Sequence, residues 1–131
     1  ATRNPDLLAM LEPQLEAELR EHGGGGRGII EQVTSLLRSR IAGQTPSAQD
    51  VASELNMSTR TLQRRLADAG AQFQQLLDAV RHELAKEYLR ASALELNEIA
   101  FLLGYKEASS FHRAFHQWEG LSPGQWRTAQ R

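Results

Sequence analysis

Six side chains in two short stretches carry residue types able to do chemistry at a surface. Arg60, Gln63 and Arg64 stand at i, i+3 and i+4, so a helix through them presents all three on one face. Ser109, His112 and Arg113 repeat that spacing. A guanidinium can donate in a fork to guanine, a glutamine amide matches adenine, and serine or histidine can hydrogen-bond a base or a phosphate. Arg65 lies one position round the helix from Arg64, a place suited to phosphate at most. On an isolated helix such residues are more often simply solvated, so the weight falls on the elements that position them.

Those elements are duplicated. Asp50-Val51-Ala52, Leu55-Asn56-Met57 is echoed 48 residues later by Glu98-Ile99-Ala100, Leu103-Gly104-Tyr105. Leu62, Arg64 and Leu66 are echoed by Phe111, Arg113 and Phe115 at an offset of 49, so the second copy has one more residue in its turn. Two helices that cross steeply need a small residue at the crossing, and Ala52 and Ala100 supply it. The sharp turn needs a residue tolerant of positive φ, and Asn56 and Gly104 meet that need. Met57 and Tyr105 then return the chain to the core. The second helices are expected to bury Leu62, Leu66 and Ala69 in one copy and Phe111, Phe115 and Trp118 in the other. This is the helix-turn-helix pattern, present twice.

Around the repeat every apolar period is near 3.6, and no strand pattern occurs. Leu7, Leu8, Leu11, Leu15 and Leu19 predict a helix over 1–22. Glycines at 23–26 and 28 predict a flexible break. A second helix is expected from Ile29, with Ile30, Val33, Leu36, Leu37 and Ile41 on one stripe and its end at Gly43 to Pro46. The remaining helices are expected from Ser47 to Asn56, from near Ser58 to Gly70, and from Phe73 to about Ala91. Short helices follow at about 96–103 and 107–119, and a last one after Ser122-Pro123, where serine caps and proline takes the first helical position. The expected division is 1–44, a lead-in or the tail of a preceding domain, and 45–131, the double helix-turn-helix unit.

Composition decides little. The net charge is −1, and from Ser47 onward ten basic residues face ten acidic ones, so no bulk attraction for a polyanion follows. Charge is clustered, however: Arg60, Arg64 and Arg65 fall within 58–66 without an acid. There are no cysteines, which excludes a disulfide scaffold or thiolate metal site. No apolar run approaches the ~20 residues that span a bilayer, and no signal-peptide pattern opens the chain. His112 and His116 have a chelating spacing, but no acid adjoins His112 and no third ligand is evident. The glycine run lacks the following lysine of a phosphate loop, and no nucleophile–base set stands out. Aromatic residues sit at core spacing rather than displayed for stacking on RNA bases. The rival reading is a helical protein–protein adaptor that uses the same faces without binding DNA.

The segments Asp50-Val51-Ala52, Met57-Ser58-Thr59-Arg60-Thr61-Leu62-Gln63-Arg64, Glu98 to Tyr105, Phe111-His112-Arg113-Ala114-Phe115 and Gly120-Leu121-Ser122-Pro123, with Trp126-Arg127, belong together. With them, residues 47–129 resemble the AraC family of bacterial transcription regulators. The resemblance implies an all-α fold of two helix-turn-helix subdomains joined by a long connecting helix, 73–91. It also implies sequence-specific binding of double-stranded DNA, with recognition helices at about 58–69 and 107–119 in adjacent major grooves. Base-reading positions fall on Arg60, Gln63, Arg64, Ser109, His112 and Arg113. Lys106 occupies a place where the family often has a helix-capping serine, and it is expected to contact phosphate instead. Control of transcription, typically activation through RNA polymerase, follows from the same resemblance. So do a cytoplasmic setting at the nucleoid, no cofactor, and dimerisation through a preceding domain.

Overall fold

The computed structural model describes residues 25–130, so the helix expected over 1–22 lies outside the described residues. Within them every regular element is a helix: α1 (Gly25–Arg40), α2 (Ala48–Glu54), α3 (Thr59–Asp68), α4 (Phe73–Ala91), α5 (Leu96–Leu102), α6 (Ala108–Glu119) and α7 (Pro123–Ala129). The expected all-α architecture of two helix-turn-helix units is the one observed. The glycine run behaves differently from expectation, because α1 begins at Gly25, inside it. Glycine in a helix costs about 1 kcal/mol relative to alanine. Burial of Ile29 and Val33 directly downstream anchors the helix that the run extends.

The chain folds as two compact units. The described part of the first is residues 25–36 with Ala48–Leu76, and that of the second is Leu37–Ser47 with residues 77–130. In the first, α2 packs on α3. Its core is Ile29, Val33, Val51, Ala52, Leu62 and Leu66, all at most 4 % exposed. Each such large apolar side chain contributes roughly 1.5–3 kcal/mol on burial. Ser58 starts α3, its Oγ accepting from the amide of Thr61 over 3.1 Å. Gly70, at φ +81°, stops the chain after α3, with the amide of Ala71 reaching back to Leu66 O over 2.8 Å.

The second unit pairs α5 with α6 and α6 with α7. Its core holds Leu37, Ile41, Leu77, Val80, Leu84, Leu89, Ile99, Leu103, Phe111, Phe115 and Trp126. Phe115 sits edge-on to both Phe111 and Trp126, at 6.0 and 5.8 Å between ring centroids. A capping box opens α7: Ser122 Oγ accepts from Gln125 N over 3.1 Å while Gln125 Oε1 accepts from Ser122 N over 3.0 Å. Pro123 at the first helical position is buried. The α1 stripe is therefore divided, with Ile29 and Val33 in the first unit and Leu37 and Ile41 in the second.

Candidate nucleic-acid interface

Both turns are built by the same two backbone bonds. In the first, Asn56 takes φ +59°, its amide donates to Ser53 O over 3.1 Å, and the amide of Met57 donates to Ala52 O over 3.0 Å. In the second, Gly104 takes φ +90°, its amide donates to Phe101 O over 2.9 Å, and Tyr105 donates to Ala100 O over 3.1 Å. This is the left-handed helix stop that satisfies orphan carbonyls. Ala52 and Ala100 are buried as the crossing requires. Met57 and Tyr105 are half-buried.

With Leu62 and Leu66 buried, a rotation of about 100° per residue sends Arg60 and Arg64 directly away from the core and Gln63 to one flank. Arg60, Gln63, Arg64 and Arg65 are all exposed. Arg65 falls on the opposite flank from Gln63. In the second copy Phe111 and Phe115 are the buried pair, and Ser109 and Arg113 are exposed at the places of Arg60 and Arg64. His112, expected to project with them, is half-buried. Its ring stands edge-on to Phe111 at 5.8 Å, and its Nε2 is shielded without a hydrogen-bond partner among the described residues. The flank that is open at Gln63 is partly closed at His112. Ala69 and Trp118, expected in the cores, are half-buried.

Lys106 is exposed but is not the capping position. The residue before α6 in cap geometry is Glu107, whose side chain makes no cap bond. The one-residue insertion of the second turn shifts the cap to Glu107, the counterpart of Ser58. Among the described residues, Ser109 Oγ and Arg113 Nη2 make only long contacts, 3.5 Å each, to Glu107 Oε1 and Ser110 Oγ. Both outer-face side chains thus retain hydrogen-bonding capacity.

Two arginines have structural roles that the sequence reading did not assign, Arg81 and, named there only within the Trp126-Arg127 motif, Arg127. Arg81 on α4 is buried, donates through Nε to Leu103 O over 3.0 Å, and lies 4.4 Å from the centroid of the Tyr105 ring. Burial pushes the Tyr105 phenol up, and the Arg81 charge opposes that shift. Arg127 on α7 donates to Leu89 O over 3.1 Å and Leu94 O over 2.8 Å, which closes the C-terminal end of α4. At the far end of α6, His82 Nε2 contacts Glu119 Oε2, and the His82 ring stacks on Trp118 at 4.8 Å. The partners of these side chains lie 33 to 38 residues away in sequence for Arg127 and 37 for His82, so no local pattern records them.

Known proteins share this arrangement. The family described as a helix-turn-helix domain matches residues 51–129. The ornithine utilization regulator of Pseudomonas aeruginosa is 41 % identical over 129 residues, covering 98 % of this chain and 38 % of its own length. A DNA-binding transcriptional dual regulator from Escherichia coli K-12 has a similar crystal structure, with a TM-score of 0.73 at 26 % identity over 79 % of this chain and 94 % of that one. The DNA-binding domain of AdpA, a global transcriptional factor crystallised with a target DNA, shares the fold at TM-score 0.66 and 24 % identity, covering 78 % of this chain and 92 % of its own. No described helix is long and apolar enough to cross a membrane. With the duplicated turn geometry, the matched domain and the similar regulators in agreement, the chain belongs to the AraC family of helix-turn-helix DNA-binding transcription regulators.

Proposed function

We propose that the chain reads an asymmetric duplex site of about two helical turns, with different residues addressing each half. Arg60, Gln63 and Arg64 address base edges in one major groove; Ser109 and Arg113, flanked by His112, address the next. Arg65 and Lys106 contact phosphate. The observation that carries this reading is the duplicated outer face: in each copy a buried pair, Leu62 with Leu66 or Phe111 with Phe115, leaves two equivalent positions exposed, Arg60 with Arg64 or Ser109 with Arg113.

The whole regulator, in this reading, controls transcription in the bacterial cytoplasm, bound at the nucleoid and acting through RNA polymerase. Residues 1–44 lead into the DNA-binding unit from a preceding domain, through which the protein dimerises. Selection of bound duplexes from a random pool at two salt concentrations, followed by footprinting, tests the reading. The expected outcome is a protected site of about 20 base pairs with unlike halves, bound by one chain. A palindrome bound only by dimers would overturn it.

A further inference from the structure

Three consecutive carbonyls at the end of α5 are held by donors from outside the second helix-turn-helix. Leu102 O accepts from the amide of Gly43 over 3.0 Å, Leu103 O from Arg81 Nε over 3.0 Å, and Gly104 O from Thr45 Oγ1 over 2.9 Å. The last residues of a helix leave their carbonyls without partners inside the helix, so each of these bonds fills a need of the turn. Thr45 also accepts from Arg81 Nη2 over 2.5 Å. Its single hydroxyl proton therefore points to Gly104, and its lone pair to the guanidinium. The fit is close: a Cβ on Gly104 would lie 2.6 Å from Thr45 Oγ1 and 2.9 Å from Gln44 O. Pro46 and Ile41, on either side of this segment, are buried.

We infer that Thr45 is a positioning residue for the second recognition helix, α6, which it serves by tying the lead-in segment 43–45 and Arg81 to the turn that aims that helix. The inference rests on the proposed reading of bases by Ser109 and Arg113. Thr45 lies ahead of the matched family domain, which begins at residue 51, and touches neither reading face. Its hydroxyl donates to the turn at Gly104 O and accepts from Arg81 Nη2. Without it, Gly104 O and Arg81 Nη2 lose a shared partner, and the turn is free to change its pitch. A small change in the angle of α6 misplaces the Arg113 fork, whose pairing with a base is directional.

The test uses the full chain and the duplex that it selects, with every base pair varied in turn. Thr45→Val keeps the shape and removes the hydroxyl; Thr45→Ser keeps the hydroxyl. Thr45→Val should bind the selected duplex about three- to tenfold more weakly, the scale of one lost hydrogen bond. Discrimination should be flattened only at base pairs whose reading Arg113→Ala also abolishes. Cost at the base pairs read by Arg64 should be unchanged, and Thr45→Ser should restore both affinity and discrimination. Faster amide exchange at 105–110 in Thr45→Val would support the inference independently. Unchanged discrimination in both halves would overturn it. Weakening of both halves together with loss of helix content would also overturn it, since the hydroxyl would then hold the fold and not the reading head. If Arg113→Ala itself left every base preference intact, the proposed reading by the second helix would fail first, before any result with Thr45.

Discussion

The amide of Met57 donates to the carbonyl of Ala52 over 3.0 Å, across the turn that the positive φ of Asn56 creates. The bond reaches back five residues, so the small side chain at the helix crossing and the residue that re-enters the core are fixed by one contact. Tyr105 and Ala100 repeat it at 3.1 Å. Any change that lengthens this bond in one copy tilts one recognition helix against its partner helix within that unit.

Ala52→Leu and Ala100→Leu are therefore expected to wedge their crossings open. Both alanines are at most 2 % exposed, and overpacking of this kind costs about 1–3 kcal/mol. Urea denaturation followed by circular dichroism should show reduced stability for each, with DNA binding lost in parallel. Wild-type midpoints in both variants would show that the crossings tolerate bulk.

The two turns should differ in what they accept. Asn56→Gly is expected to be nearly neutral, because glycine adopts the left-handed conformation freely. Gly104→Asn should destabilise by about 1–3 kcal/mol, although it installs the residue that the first turn uses. Its Cβ would press on Thr45 and Gln44. Thermal unfolding of the two variants checks the contrast.

Loss of reading should separate from loss of holding. Arg64→Ala and Arg113→Ala should each cost about 1–3 kcal/mol on the preferred duplex and relax preference at a few adjacent base pairs. Arg65→Ala should weaken all duplexes alike and flatten the dependence on salt. Repeated selection with each variant measures this. An unchanged selected sequence for Arg64→Ala would place the reading face elsewhere.

Acid should loosen the end of α6. The His82 hydrogen bond holds the Glu119 carboxyl below its ordinary value, with burial opposing and the Lys86 and His82 charges assisting. A carboxylate lowered in the folded state stabilises fully above its unfolded pKa, and that contribution is lost as pH falls through the lowered folded value. Stability should therefore drop as pH falls below about 4.5, the ordinary value for this carboxyl. Glu119→Gln should show a shallower acid limb in urea denaturation measured across pH, at lower stability near neutrality.

Truncation should discriminate between the parts of the lead-in. Every proposed DNA contact lies between residues 60 and 113, so removal of 1–24 is expected to leave affinity within about threefold, under 1 kcal/mol. Removal of 1–41 takes Val33 and Leu37, both fully buried, and Ile41 out of the cores, and should unfold the protein. Titration of one labelled duplex at constant salt, with helix content measured beside it, reports both. A tenfold loss on the shorter deletion would give residues 1–24 a part in binding.

The sequence by itself determined the local elements. The apolar stripe from Phe73 fixes α4 at Phe73–Ala91, Ser58 and Ser122 cap the helices they precede, and Asn56 and Gly104 take positive φ. These depend on neighbours within one or two turns, whose preferences are written in residue type and period. The repeat itself was also legible, since equal tasks at a crossing, a turn and a buried stripe demand similar residues at equal offsets. Tertiary structure alone decided the rest. The bond from Thr45 to Gly104 spans 59 residues, and that from Arg81 to Thr45 spans 36; no periodic pattern records either partner. Helix geometry puts His112 on the flank of α6, but its half-burial and its ring contact with Phe111 are set by packing. Gly25, Gly26 and Gly28 lie within α1, where residues beyond them, Ile29 and Val33, find a core. Local preference sets what each segment can be; which side chains meet, and which carbonyls they satisfy, is settled only when distant segments pack.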